Sequence, residues 1–184
     1  MDFNLPSDYE INNREIINRI RLDLSANKNI HYMFLGAVGS GKTHLARIIR
    51  QFYTKQGVDV KFVEARNSYK EYLRMLGSEY TDKVEAIRKR EQVLRKPYVI
   101  YDDIGNEKPA TESAHSFVGD LLEDRYMWIK KGFGKMTILT SNLDETALRR
   151  FYGDRVVDRL VEVFTIMKFK SESFRKKKME IVGG

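Results

Sequence analysis

Residues 36–43 read GAVGSGKT, a glycine-spaced loop that closes on a lysine and a hydroxyl side chain. Upstream, His31–Leu35 is a short apolar run. Downstream, Lys42–Gln56 places Leu45, Ile49 and Phe52 on one helical face, with Gly57 as a stop. The pattern GxxxxGK[ST] therefore falls between a predicted strand and a predicted helix, the setting in which it grips phosphate. Its glycines let successive N–H groups turn inward as an anion nest, to which the helix adds its positive N-terminal end. Lys42 is placed to reach β- and γ-phosphates and the Thr43 hydroxyl to ligate a metal, so ATP and Mg2+ are the expected cofactors. The predicted nucleotide contacts are Gly36, Ala37, Val38, Gly39, Ser40, Gly41, Lys42, Thr43 and His44. The alternative is an ordinary glycine turn, but such a match arises by chance in well under about one chain in a hundred of this length.

The next informative stretch is YVIYDD, Tyr98–Asp103, which matches a Walker B strand: an apolar segment that delivers carboxylates at its carboxyl end. Asp102 is the expected second metal ligand, and Asp103 stands where a base can polarise an attacking water. The plainer reading takes DDIGNEKP as a polar turn after a core strand. Met136–Thr140 is another apolar strand, ending in TSN. Asn142 there could orient water or touch the γ-phosphate, or, with Asp144 nearby, cap a helix. In GDRVVDRL, Arg155 and Arg159 share a helical face able to donate an arginine to phosphate, whereas spacing alone favours a surface ion pair with Asp154 or Asp158.

Around these motifs the hydrophobic periods complete an α/β pattern. Asn12–Leu24 reads as an amphipathic helix through Ile16, Ile17, Ile20 and Leu24, with Asn12 and Glu15 as a capping box. Val58, Val60 and Phe62 alternate as a second strand. Thr111–Lys131 carries Phe117, Leu121, Leu122, Tyr126 and Ile129 at helical spacing and stops at Gly132. Two short helices surround Gly153, and Val163–Phe169 reads as a last strand. The fold class expected is a three-layer P-loop sandwich around a central, mainly parallel five-stranded sheet. Residues 1–29 form an N-terminal extension, 30–170 the ATPase core and 171–184 a basic tail.

Composition narrows the function classes. The 184 residues suffice for one autonomous core, and the absence of cysteine excludes disulfides and thiolate metal sites. No apolar run approaches the roughly 18 residues that span a bilayer, so no membrane partner and a cytoplasmic location are expected. The 33 basic against 26 acidic residues, net +7, suit a phosphate-bearing partner. Two basic stretches, Arg88–Lys96 and Arg175–Lys178, with Tyr69, Tyr72 and Tyr80, could border a channel for single-stranded DNA, where stacking and charge neutralisation act together.

In combination, GAVGSGKTHLA, YVIYDDIGNEKP, MTILTSNL, YGDRVVDRL and SESFRKKK resemble the ordered motif set of bacterial helicase loaders of the DnaC/DnaI type and the related IstB transposition ATPases. The likeness runs from about His31 to Lys178. It implies an AAA+ fold hydrolysing ATP at junctions between subunits of a homo-oligomer, Asn142 in the sensor 1 position, Arg159 in the arginine-finger position, and Arg155 as a second phosphate-side residue. It also implies single-stranded DNA and a replicative DNA helicase, or alternatively a transposase, as partners. The chain departs from the loader pattern in having only about thirty residues before the first strand, and too few after Phe169 for a helical lid. The aspartate at 103, where many AAA+ proteins carry glutamate, suggests slow hydrolysis. A small nucleotide kinase is disfavoured by the lack of an arginine-rich lid insertion, and an ATP-bound adaptor without turnover is a further alternative.

Overall fold

A computed structural model describes residues 5, 9–10, 13–67, 84, 88, 92–93, 95–107 and 112–170, with the backbone alone at 112–117. Its elements run α1 (Arg14–Ser25), β1 (Ile30–Leu35), α2 (Lys42–Thr54), β2 (Lys61–Glu64), β3 (Tyr98–Ile104), α3 (Glu112–Lys130), β4 (Met136–Ser141), α4 (Glu145–Tyr152), α5 (Asp154–Val163) and β5 (Thr165–Lys168). The five strands form one sheet in the order β2-β3-β4-β1-β5, and every pairing is parallel.

Strand composition explains the layering. In β1, Tyr32 and Phe34 face one side and Met33 and Leu35 the other, all buried, because a parallel sheet covered on both faces needs apolar side chains at every position. Tyr32 and Phe34 pack with Ile17, Ile20 and Leu24 of α1 and with Leu45, Ala46 and Ile49 of α2. Met33 and Leu35 pack with Leu121 and Leu122 of α3, Leu148 of α4, and Val156, Val157 and Leu160 of α5. Truncating a buried residue such as Ile17 or Ile20 would cost about 2–5 kcal/mol, the usual penalty for a core cavity. A polar tie fixes α1 as well: the Tyr32 hydroxyl donates to Asp23 Oδ2 at 2.7 Å, an oxygen that also accepts from Arg19.

Several sequence expectations move. The first helix starts at Arg14 with Asn13 in the N-cap position and no side-chain cap; instead Asn13 Nδ2 donates to the Tyr9 carbonyl at 3.1 Å, and Asn12 of the expected capping box lies outside the described residues. The second strand begins at Lys61 rather than Val58, because pairing with Val99–Asp102 of β3 selects 61–64. The lid expectation rests on residues after Lys170, outside those described. Tyr69, Tyr72, Tyr80, residues 89–91 and 94 of the Arg88–Lys96 stretch, and Arg175–Lys178 likewise lie outside the described residues. Among the described residues, no helix is long and apolar enough to cross a membrane.

Candidate nucleotide and metal site

The carboxyl ends of β1, β3 and β4, three adjacent strands, carry the predicted site residues other than Arg155 and Arg159, where ligands of open parallel sheets bind. Residues Gly36–Gly41 connect β1 to the first turn of α2. Gly41 has φ 92°, in the left-handed region, and a Cβ built on it would lie 2.1 Å from Cε2 of Tyr9. Glycine is therefore required both for backbone angle and for space. Tyr9 is itself buried; its hydroxyl donates to the Gly41 carbonyl at 3.0 Å and its ring meets His44 edge-on. Sequence reading missed Tyr9, since a lone tyrosine upstream of a helix carries no signal.

Lys42 is buried, and its Nζ donates to the carbonyls of Gly36 (2.7 Å) and Ala37 (2.8 Å), to Ser40 Oγ (3.2 Å) and to Asn142 Oδ1 (2.9 Å). Burial lowers the pKa of this amine, while Asp103 and Asp102 oppose the shift. Beside it, the Thr43 hydroxyl donates to Asp102 Oδ1 at 2.8 Å, uniting the two expected metal ligands.

The acidic pair depends on an irregularity in β3. Its register with β4 runs Tyr98↔Met136 to Tyr101↔Leu139 and resumes at Ile104↔Ser141, so β3 holds one extra residue there. A regular strand would send successive side chains to opposite faces. The bulge, with Asp103 at φ 61°, allows both carboxylates to serve one end of the sheet. Asp102 is bound by Thr43 and by the Thr140 hydroxyl at 2.6 Å, while Asp103 accepts from Asn142 Nδ2 at 2.7 Å and from Asn106 Nδ2 at 2.5 Å. Thr140 Oγ1 also accepts from the Asp103 amide at 2.9 Å. Thr140, buried near the carboxyl end of β4, is another residue that sequence reading missed; its signal was a hydroxyl at the end of a strand that runs beside β3.

Asn142 thus bridges Lys42 and Asp103, whereas the capping role belongs to Asp144, which accepts from the Ala147 amide at 2.7 Å. Asp102 and Thr43 offer hard oxygen donors suited to Mg2+. Among the described residues, no group of three or more His, Cys, Asp or Glu side chains is placed to hold a metal. An ion at Thr43 and Asp102 would therefore complete its shell with water and phosphate oxygens, as Mg2+ commonly does.

Arg155 and Arg159 are not gathered into this cluster. Both pair with Glu123 on α3, at 3.3 and 2.9 Å, and Arg159 also lies over the Tyr126 ring. The pairing with Asp154 or Asp158 suggested by spacing does not form; those carboxylates take Arg149, at 3.4 and 2.6 Å.

Comparison with known proteins adds a family to this geometry. Residues 1–181 match the family described as IstB-like ATP binding protein. The chain belongs to that family. The ATP-binding protein named for insertion sequence IS5376 of Geobacillus stearothermophilus is 30% identical over 176 residues, which cover 92% of this chain and 63% of the relative; the chain thus spans under two-thirds of that relative's length. Among solved structures, the IstB-like chain superposes on a DnaC helicase loader with a TM-score of 0.66 (21% identity, 90% of this chain, all of that one). It superposes on DnaI at 0.67 (19%, 91% and 88%), and on DnaA bound to AMPPCP and single-stranded DNA, also at 0.67 (19%, 92% and 51%). At these identities the superpositions establish the fold, an AAA+ P-loop sandwich as the sequence motifs implied.

Proposed function

We propose that this IstB-like chain is an ATP-hydrolysing switch that acts on DNA together with a transposase. The observation that supports hydrolysis is the continuous chain of contacts Thr43–Asp102–Thr140–Asp103–Asn142–Lys42, which joins the P-loop lysine and hydroxyl to two carboxylates and an amide, side chains of the kinds that phosphoryl transfer to water uses. On this reading residues 36–44 cradle the triphosphate, and Lys42 exchanges its neutral acceptors for β- and γ-oxygens. Thr43 and Asp102 hold Mg2+, which when bound neutralises charge on the phosphates. Asp103 accepts a proton from the attacking water, and Asn142 keeps Asp103 and the γ-phosphate in register. Arg159, with Arg155 beside it, is held by Glu123 and serves the site of a neighbouring copy in a homo-oligomer.

Transposase is the favoured partner because the IS5376 relative, at 30% identity, is an insertion-sequence protein. Loading of a replicative helicase onto single-stranded DNA is the second reading, favoured by the complete coverage of the DnaC loader chain. The net charge of +7 supports a nucleic-acid partner under either.

Phosphate release from ATP and magnesium is the first test, with and without DNA. Turnover abolished by Lys42→Ala is expected, and equal rates in the two proteins would refute the assignment. The Asp103→Asn protein, expected to retain ATP, then serves as bait: recovery of a transposase with ATP but not ADP supports the leading reading, and recovery of a replicative helicase the second.

A further inference from the structure

Beyond Asp103, the chain leaves β3 through a turn built around Gly105, at φ 82°. The Gly105 N–H lies between two acceptors, Glu107 Oε2 at 2.9 Å and the Tyr152 hydroxyl oxygen at 2.8 Å, and the Tyr152 hydroxyl in turn donates to Glu107 Oε1. Glu107 is only 3% exposed and Tyr152 9%. Burial pushes the Glu107 carboxyl up, against hydrogen bonds from Tyr152 and from the backbone of the turn that hold it down. From a second direction, Ser141 Oγ donates to the Ile104 carbonyl at 2.7 Å and accepts from the Leu143 amide at 3.1 Å. Leu143 packs so closely that a Cβ at Gly105 would lie 2.5 Å from its Cδ1. The turn that follows Asp103 is therefore seated on the residues flanking Asn142 and braced sideways by Glu107 and Tyr152.

A buried carboxyl is a poor way to fill a core, because its desolvation offsets most of what its hydrogen bonds contribute. What it does provide is direction: two oxygens fix one amide and one hydroxyl at once, and the amide is two residues from Asp103. Tyr152 is the last residue of α4, forty-five residues along the chain from Glu107, so the brace ties the acidic turn to a different element.

We propose that Glu107 and Tyr152 are a positioning pair that holds the Asp103 carboxylate in register with Asn142 and Lys42 for attack on ATP. The pair acts on Asp103 through the Gly105 turn. The inference rests on the ATPase reading above.

The test compares Tyr152→Phe, Glu107→Ala and Glu107→Gln with wild type in steady-state phosphate release, equilibrium ATP binding and thermal unfolding. Tyr152→Phe and Glu107→Ala should each lower kcat about 10-fold or more, since small misplacements of reacting groups cost up to about 100-fold, with KM and ATP affinity within about 2-fold of wild type. Glu107→Gln, which keeps an acceptor for Gly105 and a partner for Tyr152, should recover most of the loss. In an Asp103→Asn background, Tyr152→Phe should lower kcat no further, because both changes disable one group. Wild-type kcat in Tyr152→Phe and Glu107→Ala, a loss confined to ATP affinity, or losses that multiply in the double variant would each overturn the proposal. Wild-type protein that binds ATP but releases no phosphate would instead defeat the ATPase reading on which it depends.

Discussion

Replacing Thr140 with valine removes a single hydroxyl at the point where both acids are held. The side chain is buried, at 1% exposure, and valine has the same shape, so no cavity is created. Two bonds are lost: the 2.6 Å bond to Asp102 Oδ1 and the 2.9 Å bond from the Asp103 amide. The first, to a charged acceptor, contributes about 1.5–3 kcal/mol, and an unpaired amide costs about 1 kcal/mol or more, giving about 3 kcal/mol in all. For a domain of this size that corresponds to a fall of about 6–12 °C in Tm. Urea unfolding followed by circular dichroism should show the loss as a lower midpoint with an unchanged slope. Thr140→Ser, which keeps the hydroxyl and loses a methyl group, should cost about 1 kcal/mol. Magnesium affinity should also fall in Thr140→Val, since Asp102 loses one of the groups orienting it. A destabilisation below about 1 kcal/mol for valine, or one equal to that of serine, would refute the argument that the hydroxyl organises the acidic pair.

Three further outcomes follow from the same packing. Gly41→Ala must place a side chain at φ 92° against the Tyr9 ring, so ATP affinity should drop at least about 10-fold in a titration with a fluorescent nucleotide, and the N-terminal contact through Tyr9 should loosen, visible as faster proteolysis near residue 9. Arg125 is fully buried and donates to the carbonyls of Lys96, Pro97 and Met136 and to Thr137 Oγ1, so Arg125→Met should cost about 3–5 kcal/mol in chemical unfolding by leaving those acceptors without a donor. Burial, assisted by Arg125, lowers the His31 pKa from 6.5 to about 4. Between these values the unfolded chain binds a proton that the folded one does not, so stability is full above about pH 6.5 and falls as pH drops towards 4, by at most about 3 kcal/mol. His31→Gln should flatten that slope in unfolding curves measured across the same range.

The elements and their order were legible because they rest on local periodicity: a continuous apolar run at Tyr98–Tyr101, helical spacing in Leu45, Ile49 and Phe52, and glycines where helices stop. The P-loop was legible for a similar reason, since its function depends on backbone conformation, which glycines at fixed offsets dictate. Asp102 and Asp103 stood out as charges at the end of an apolar strand, but the bulge that directs both to one end of the sheet arises from register with β4, which one strand alone does not encode. On local sequence alone Asn142 read better as a cap, and only the family resemblance put it beside phosphate; the structure gives the capping task to Asp144 and joins Asn142 to Lys42, one hundred residues away in sequence.

By itself, then, the sequence determined which segments become strands and helices, where the glycine-spaced loop falls between them, and which acids end the strand beside it, because backbone propensity and motif spacing act over a few residues. Tertiary structure alone decided that Tyr9 closes on Gly41, that Thr140 holds both acids, that Glu107 meets Tyr152, and that Arg155 and Arg159 share Glu123 rather than Asp154 or Asp158. Each of these contacts joins residues far apart along the chain through one polar atom, and whether such atoms meet is settled by how the sheet and its helices pack, a property no local pattern carries.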